Sequence, residues 1–253
     1  MHRFYLPPAE CGGDLLLLSE RDAHHANNVL RLKRGDGVVV LDGAGSVFDC
    51  DVAEVARRQV SLKVRKKEIY PRLPCRITLV QAIPKGKTMD SIVQKATELG
   101  TFRIVPLISE RTNVQLGENS ATAKQEKWQL TAIEAIKQCG SPWLTSVAEP
   151  MSTKEFLEKK EHFDLSLIAS LEANSQHPRK YLGDSLKLSA PTGRSTCVWI
   201  GPEGDFSPAE YAAVQIEGAL PISLGPLVLR SETAAIYCLS ILNYELQGEQ
   251  NLV

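Results

Sequence analysis

This chain of 253 residues lacks most of the short strings that give a function away. No two of its six cysteines are close enough for a CxxC pair, and its five histidines show no zinc-type spacing. No metal site is therefore expected, and the cysteines read as small buried thiols of a reducing compartment. No GxGxxG string occurs, because Phe48 stands where Gly43-Ala44-Gly45 would need its third glycine. Lys85-Gly86-Lys87-Thr88 ends like a phosphate-binding loop. Gln81 replaces the first glycine of that pattern and Pro84 intrudes, so a nucleotide triphosphatase is not expected. The longest leucine run, Leu15 to Leu18, is far too short for a bilayer. Pro7, Pro8, Glu10 and Asp14 sit where a signal peptide would be apolar, so the expectation is a cytoplasmic protein with no membrane partner. A net charge of −1 gives no global sign of nucleic-acid binding.

What is present is organised in two rhythms. Residues 1–70 read as β-rich. Gly37 to Leu41 is a short apolar strand ended by the turn signal Asp42-Gly43, Val47 to Val52 continues it, and Gln59 to Val64 alternates. A short helix is expected from His24 to Leu32, and the strands suggest a small barrel. Tyr70 to Pro74 reads as a stiff linker. From Cys75 strands and helices alternate, which implies a mostly parallel sheet covered on both faces. Met89, Ile92, Val93, Ala96 and Leu99 have helical spacing, ended by Gly100, and a helix through Trp128 and Cys139 is closed by Gly140. Trp128 and Trp143 read as core or interface anchors. Further strands are expected at Asp164 to Ser170, Thr196 to Ile200 and Leu220 to Leu224. Ser207-Pro208-Ala209-Glu210 is a capping box, and a last helix runs from about Ser231 to Leu246. Arg57, Arg58, Lys63, Arg65, Lys66 and Lys67 form a basic cluster that either contacts phosphates or is a solvated face.

Two glycine-bearing loops each join an apolar run to a helix: Gly201-Pro202-Glu203-Gly204-Asp205-Phe206-Ser207, and Leu224-Gly225-Pro226-Leu227-Val228-Leu229-Arg230-Ser231-Glu232-Thr233-Ala234. Glycine admits a ligand close to the backbone, and free N–H groups at a helix start bind polar groups. Together the loops can wall one pocket charged by Glu203, Arg230 and Glu232. Arg230 either serves such a pocket or pairs with Glu232 on a surface.

These loops resemble those of the SPOUT-type RNA methyltransferases, and among them the family that methylates N3 of a uridine in 16S ribosomal RNA. Met1 to Tyr5, His24-His25 with Val29 to Leu32, Gln94 to Gly100, Glu110-Arg111 and Glu134-Ala135 with Gln138 fit the same family in order. The resemblance implies an α/β fold, with a PUA-like RNA-binding β-barrel domain at 1–72. A SPOUT methyltransferase domain with a C-terminal trefoil knot would follow at 73–253. It implies that S-adenosylmethionine is held by Leu171, Gly201, Pro202, Glu203, Gly204, Leu224, Gly225, Leu229 and Thr233. It places Arg230 and Glu232 at the catalytic centre, and His25, Arg31, Arg65, Lys66, Lys67 and Arg111 on RNA. The implied partners are 16S ribosomal RNA within the small ribosomal subunit and a second copy of the chain. Ala234, Ala235, Cys238, Ile241 and Leu242 give the last helix an apolar side that either meets that copy or covers its own sheet. The runner-up reading is a non-catalytic RNA-binding protein that kept the fold. Three positions depart from the family pattern: Asp205 where glycine is usual, Ser231 for threonine, and Ser141 for arginine.

Overall fold

A computed structural model of the chain describes residues 1–56, 58–112, 118–185 and 193–247. Arg57 of the basic cluster lies outside the described residues, as does part of the polar stretch from Glu172 to Arg194. The chain divides into two compact units. One gathers Met1–Arg72 with Ile133–Leu144; the other takes Leu73–Ala132 and the described residues from Thr145 onward.

In the first unit, strands β1 (His2–Tyr5), β2 (Leu15–Leu17), β3 (Gly37–Leu41), β4 (Ser46–Ala56) and β5 (Gln59–Ile69) form one sheet, with helix α1 (Glu20–Asn28) beside it. The strand order is β1-β3-β4-β5-β2. The hydrogen-bonded path stops at β1 and β2, so the small barrel expected from the sequence is an open five-stranded sheet among the described residues. Its edge strands have only four and three residues, and short edges resist pairing with other chains. Alternation along β4 buries Ser46, Phe48, Cys50 and Val52. The apolar members of that set join Phe4, Leu16, Val38, Val40, Val60 and Leu62 in one core. The β3–β4 turn is held by Asp42, whose Oδ1 accepts from the Ala44 and Ser46 amides at 2.7 and 2.8 Å. Helix α1 begins earlier than periodicity suggests, because the Ser19 hydroxyl caps the Asp22 amide at 3.1 Å. It also ends earlier. Arg31 adopts φ +54°, which breaks the helix and turns Leu32 into the core.

In the second unit the elements are β6 (Cys75–Ala82), α2 (Thr88–Glu98), β7 (Arg103–Ile108), α3 (Glu118–Cys139), β8 (Ser146–Val147), β9 (Met151–Ser152), α4 (Thr153–Glu158), β10 (Leu165–Ala169), α5 (Arg179–Ser185), β11 (Arg194–Ile200), α6 (Pro208–Ile216), β12 (Leu220–Ile222) and α7 (Ser231–Leu246); α3 crosses into the first unit at Ile133. The sheet order is β12-β10-β11-β6-β7-β8, with β9 also on β7, and every pairing is parallel. Central strands β6 and β11 are almost entirely buried, as a sheet covered on both faces requires. The capping box at Ser207 forms as the sequence indicates, with the Glu210 carboxylate returning to the Ser207 amide at 3.0 Å. Helix α7 lies on α2, β6 and β11 and buries Ala235, Cys238, Leu239, Leu242 and Leu246. Much of the apolar side that the sequence offered to a second copy thus covers the chain's own sheet, while Tyr237 and Tyr244 remain exposed.

The segment Ile133–Leu144 completes the first unit. The Arg3 guanidinium donates to the Gln138 carbonyl at 2.9 Å, where a helix end favours a cation. Trp143 packs so closely on Gly45 that a Cβ there would collide with the indole ring. Its Nε1 donates to the Pro71 carbonyl at 3.0 Å, and the Arg72 guanidinium stacks 3.9 Å from its ring centre. Ser141, the departure from arginine, closes this turn by donating to the Trp143 carbonyl at 2.9 Å.

Five of the six thiols are buried; Cys139 is the exposed one. Burial pushes the Cys11 thiol up to about 11 and those of Cys50 and Cys238 up to about 12, so they stay protonated and unreactive near neutral pH.

Candidate active site

The parallel strands β10, β11 and β12 end at one side of the sheet, and the loops after them converge there. Between the loops lies a cleft of about 730 Å³. That is within the span of small-molecule sites, about 300–1,000 Å³. Its walls are Ser170 to Ala173 with Ser175, Ile200 to Glu203 with Asp205, and Ser223 to Ser231 with Ala234. Ends of parallel strands are where α/β sheets place ligands.

The loop after β11 closes as a turn in which the Asp205 amide donates to the Pro202 carbonyl at 2.9 Å. Asp205 sits at φ +59°, a left-handed conformation natural to glycine and tolerated by aspartate. That accounts for aspartate at a position where the family pattern has glycine. The Asp205 Oδ1 accepts from the Phe206 amide at 2.8 Å, and a Cβ on Gly201 would meet that same oxygen at 2.8 Å. A Cβ at Gly201 would also lie 3.3 Å from the Asp205 Cα and the Phe206 amide nitrogen, so close approach favours glycine there. Gly225 is required by conformation: its φ is +114°, with open space around it.

One buried hydrogen-bond chain ties two walls of the cleft together. Ser231, at the start of α7, donates through Oγ to the Gly201 carbonyl at 2.7 Å. Gln81, fully buried on β6, donates through Nε2 to Ser231 Oγ at 2.9 Å and to the Ala82 carbonyl at 2.8 Å. Sequence reasoning gave Gln81 no role. Its signal is a polar side chain between Leu79-Val80 and Ala82-Ile83 in a strand-like run.

The charged groups take distinct positions. The Glu203 carboxylate accepts from the Lys85 amide at 3.0 Å, so the Lys85–Thr88 turn is fastened to the cleft wall. Arg111 donates to the Gly204 carbonyl at 2.8 Å. Arg230 is exposed on the cleft and makes no ion pair among the described residues, with Glu232 or any other group. Of the residues expected to hold a ligand, Leu171, Gly201, Pro202, Glu203, Leu224, Gly225 and Leu229 line the cleft, as does Arg230. Gly204, Glu232 and Thr233 are not among the lining residues; Gly204 faces Arg111 instead. His25 and Arg31 are exposed in the first unit, in and just after the last turn of α1. On β5, Arg65 pairs with Asp51 at 3.3 Å, Lys66 pairs with Glu68, and Lys67 lies 5.1 Å over the Phe48 ring. No three metal-ligating side chains come together among the described residues.

A family model described as an RNA methyltransferase domain matches residues 71–243, and one described as an RNA methyltransferase PUA domain matches residues 18–65. The fold is thus that of an RNA methyltransferase domain. The ribosomal RNA small subunit methyltransferase E of Bacillus subtilis is 30% identical over 92% of this chain and 92% of its own length. That of Synechocystis is 33% identical over 98% of this chain and 78% of its own. The crystal structure of the Neisseria gonorrhoeae protein of that name, bound to S-adenosyl methionine, superposes with a TM-score of 0.83, with 28% identity over 96% of this chain and 97% of that one. This chain belongs to the ribosomal RNA small subunit methyltransferase E family.

Proposed function

We propose that this chain transfers a methyl group from S-adenosylmethionine to N3 of a uridine in 16S ribosomal RNA. One observation carries the reading: in a chain of this family, three strand-end loops wall a single cleft of about 730 Å³. The cleft suits the donor chemically. The carboxylates of Glu172 and Glu203 line it and favour a cationic ligand, and the Ser175 hydroxyl on its wall has no partner among the described residues. Leu171, Leu224 and Leu229 offer apolar contact to a base.

When bound, S-adenosylmethionine supplies an electrophilic methyl group. The chain's residues hold and orient. The Gln81–Ser231–Gly201 chain fixes the spacing of two walls, and fixed geometry of this kind supplies much of the acceleration in a direct displacement. Arg230 stands free to meet an anionic group of the RNA or the uracil edge, and as a lining residue it suits the catalytic centre better than Glu232. N3 lies on the Watson–Crick edge, so the uridine must be unpaired and turned outward. The first unit, matched by the PUA model, would contribute RNA contacts through His25 and Arg31, and through Arg65, Lys66 and Lys67 where RNA displaces their present partners.

Two finer features belong to the same reading. A C-terminal knot is carried by the family resemblance; α7 follows edge strand β12 and lies on central strands β6 and β11. A homodimer acting on the small ribosomal subunit is supported by the exposed stripe Thr233, Tyr237, Ser240 and Tyr244 on α7, rather than by the apolar residues already spent on the sheet. Sedimentation equilibrium checks the dimer: an active species at 27.8 kDa removes it. The activity is tested by incubating purified protein with small ribosomal subunits and S-adenosylmethionine. Nucleoside mass analysis should then find 3-methyluridine in the RNA. Donor binding without that product overturns the assignment.

A further inference from the structure

We infer that Lys85 and Lys87, together with Arg111, form a phosphate-binding rim for the RNA strand that presents the target uridine; this rests on the methyltransferase reading above. The sequence makes Lys85-Gly86-Lys87-Thr88 look like a failed nucleotide loop, and the established family assignment gives it no task. The structure places it at the reaction cleft. The Lys85 amide donates to the Glu203 carboxylate at 3.0 Å, and Glu203 lines the cleft. The turn is also closed internally, by Thr88 Oγ1 donating to the Lys85 carbonyl at 3.2 Å and by the Asp90 amide donating to the Lys87 carbonyl at 3.1 Å. It is therefore a held loop rather than a loose tether.

Both lysine side chains are exposed, and neither has an ion pair among the described residues. Arg111 is anchored on the neighbouring position of the same cleft loop, through the Gly204 carbonyl at 2.8 Å. Lys85 through Glu203 and Arg111 through Gly204 thus bring cations to adjacent residues of one loop. The backbone of Lys85, not its ammonium, makes the fastening bond, so the charge is left for a ligand. The carboxylates lining the cleft are Glu203, Asp205 and Glu172, where a cationic donor would sit, and Asp90, three positions from Lys87, is paired with Lys127. A strand that turns a base outward must bring its flanking phosphates to the rim of the pocket, and free lysines there neutralise them.

The test compares wild type with the double variant Lys85→Ala/Lys87→Ala and the charge-keeping Lys85→Arg/Lys87→Arg. The probe is a short fluorescent single-stranded RNA containing uridine, titrated across salt concentrations. The alanine variant should bind more weakly, with a salt slope shallower by about 1.4, two phosphates at about 0.7 each for a single strand. The arginine variant should restore the slope. Calorimetry with S-adenosylmethionine and the melting temperature should match wild type, because the Lys85 amide bond to Glu203 survives both changes. An unchanged slope in the alanine variant, with wild type binding RNA and methylating ribosomal subunits, overturns the rim alone. Wild type that neither binds this RNA nor methylates subunits overturns the functional reading with it. Saturable binding of ATP that the alanine change abolishes would mark a nucleotide site and overturn the rim as well.

Discussion

The chain carries two groups of basic side chains, and they differ in what surrounds them. On β5 and its turn, Arg58 faces Glu20 at 3.7 Å, Arg65 faces Asp51, Lys66 faces Glu68 and Lys67 covers an aromatic ring; Lys63 has no partner among the described residues. Around the cleft, Lys85, Lys87 and Arg230 face no carboxylate within ion-pair distance among the described residues. The first group is dense in sequence and largely compensated in space; the second is scattered in sequence and free. Density of charge along a chain therefore measures little. A phosphate gains most from a cation that has no partner to give up, since breaking an existing pair returns part of the binding energy.

The difference can be broken or sharpened by experiment, the largest effect coming from Arg230. Arg230→Ala should cost about 2 kcal/mol of transition-state stabilisation, roughly thirtyfold in kcat/KM, typical of losing a bond to a charged partner. Its melting temperature should stay near wild type, because no protein group is left unpaired. Near-normal turnover on ribosomal subunits would remove Arg230 from the free group's functional core. Next come the glycines that shape the cleft beside it. Gly201→Val, which drives a side chain into Asp205, and Gly225→Val, which strains φ +114°, should each weaken S-adenosylmethionine by at least about tenfold, or 1.4 kcal/mol. Gly204→Ala should be harmless, since its Cβ would meet Arg111 only at an ordinary 3.8 Å. Calorimetry separates the three; equal losses at Gly201 and Gly204 would contradict the described loop.

Smaller effects are expected on β5. Neutralising Arg65, Lys66 and Lys67 together should flatten the RNA salt slope by less than about 1, below the loss from two free cations at the cleft. A larger loss than from Lys85 and Lys87 would reverse the comparison. The Lys66–Glu68 hydrogen bond, as the first cause, holds the Glu68 carboxyl below and the Lys66 ammonium above their usual ranges. Both stay charged between about pH 5 and 9, so this result should not vary with pH across that window. The smallest change tests the idea from the other side. Asp51→Asn releases Arg65 and should steepen the slope, by up to about 0.7, while an exposed pair worth about 0–1 kcal/mol costs the fold little.

Features with a local cause were legible before the structure. The capping box at Ser207 and the span of α7 follow from residues a few positions apart, and the two glycine loops stand out because close approach and left-handed backbone demand glycine. Helix α1 starts ahead of the expected His24 because Ser19 caps it at Glu20, and it ends ahead of Leu32 because Arg31 takes a left-handed φ that no residue type announces. The tie from Gln81 through Ser231 to Gly201 was not legible at all. Its partners are 150 and 30 positions apart, and only the sheet order brings them together. The pairing state of each cation is hidden for the same reason.

The seating of Trp143 on Gly45 has a consequence for how the protein is made. The first unit is finished only when Ile133–Leu144 arrives, so a ribosome that has released residue 72 has not yet released a complete unit. The remaining stretch to Leu144 takes roughly 4–14 s at about 5–20 residues per second. During that interval the β3–β4 hairpin waits with its indole socket open and Arg3 without its helix end.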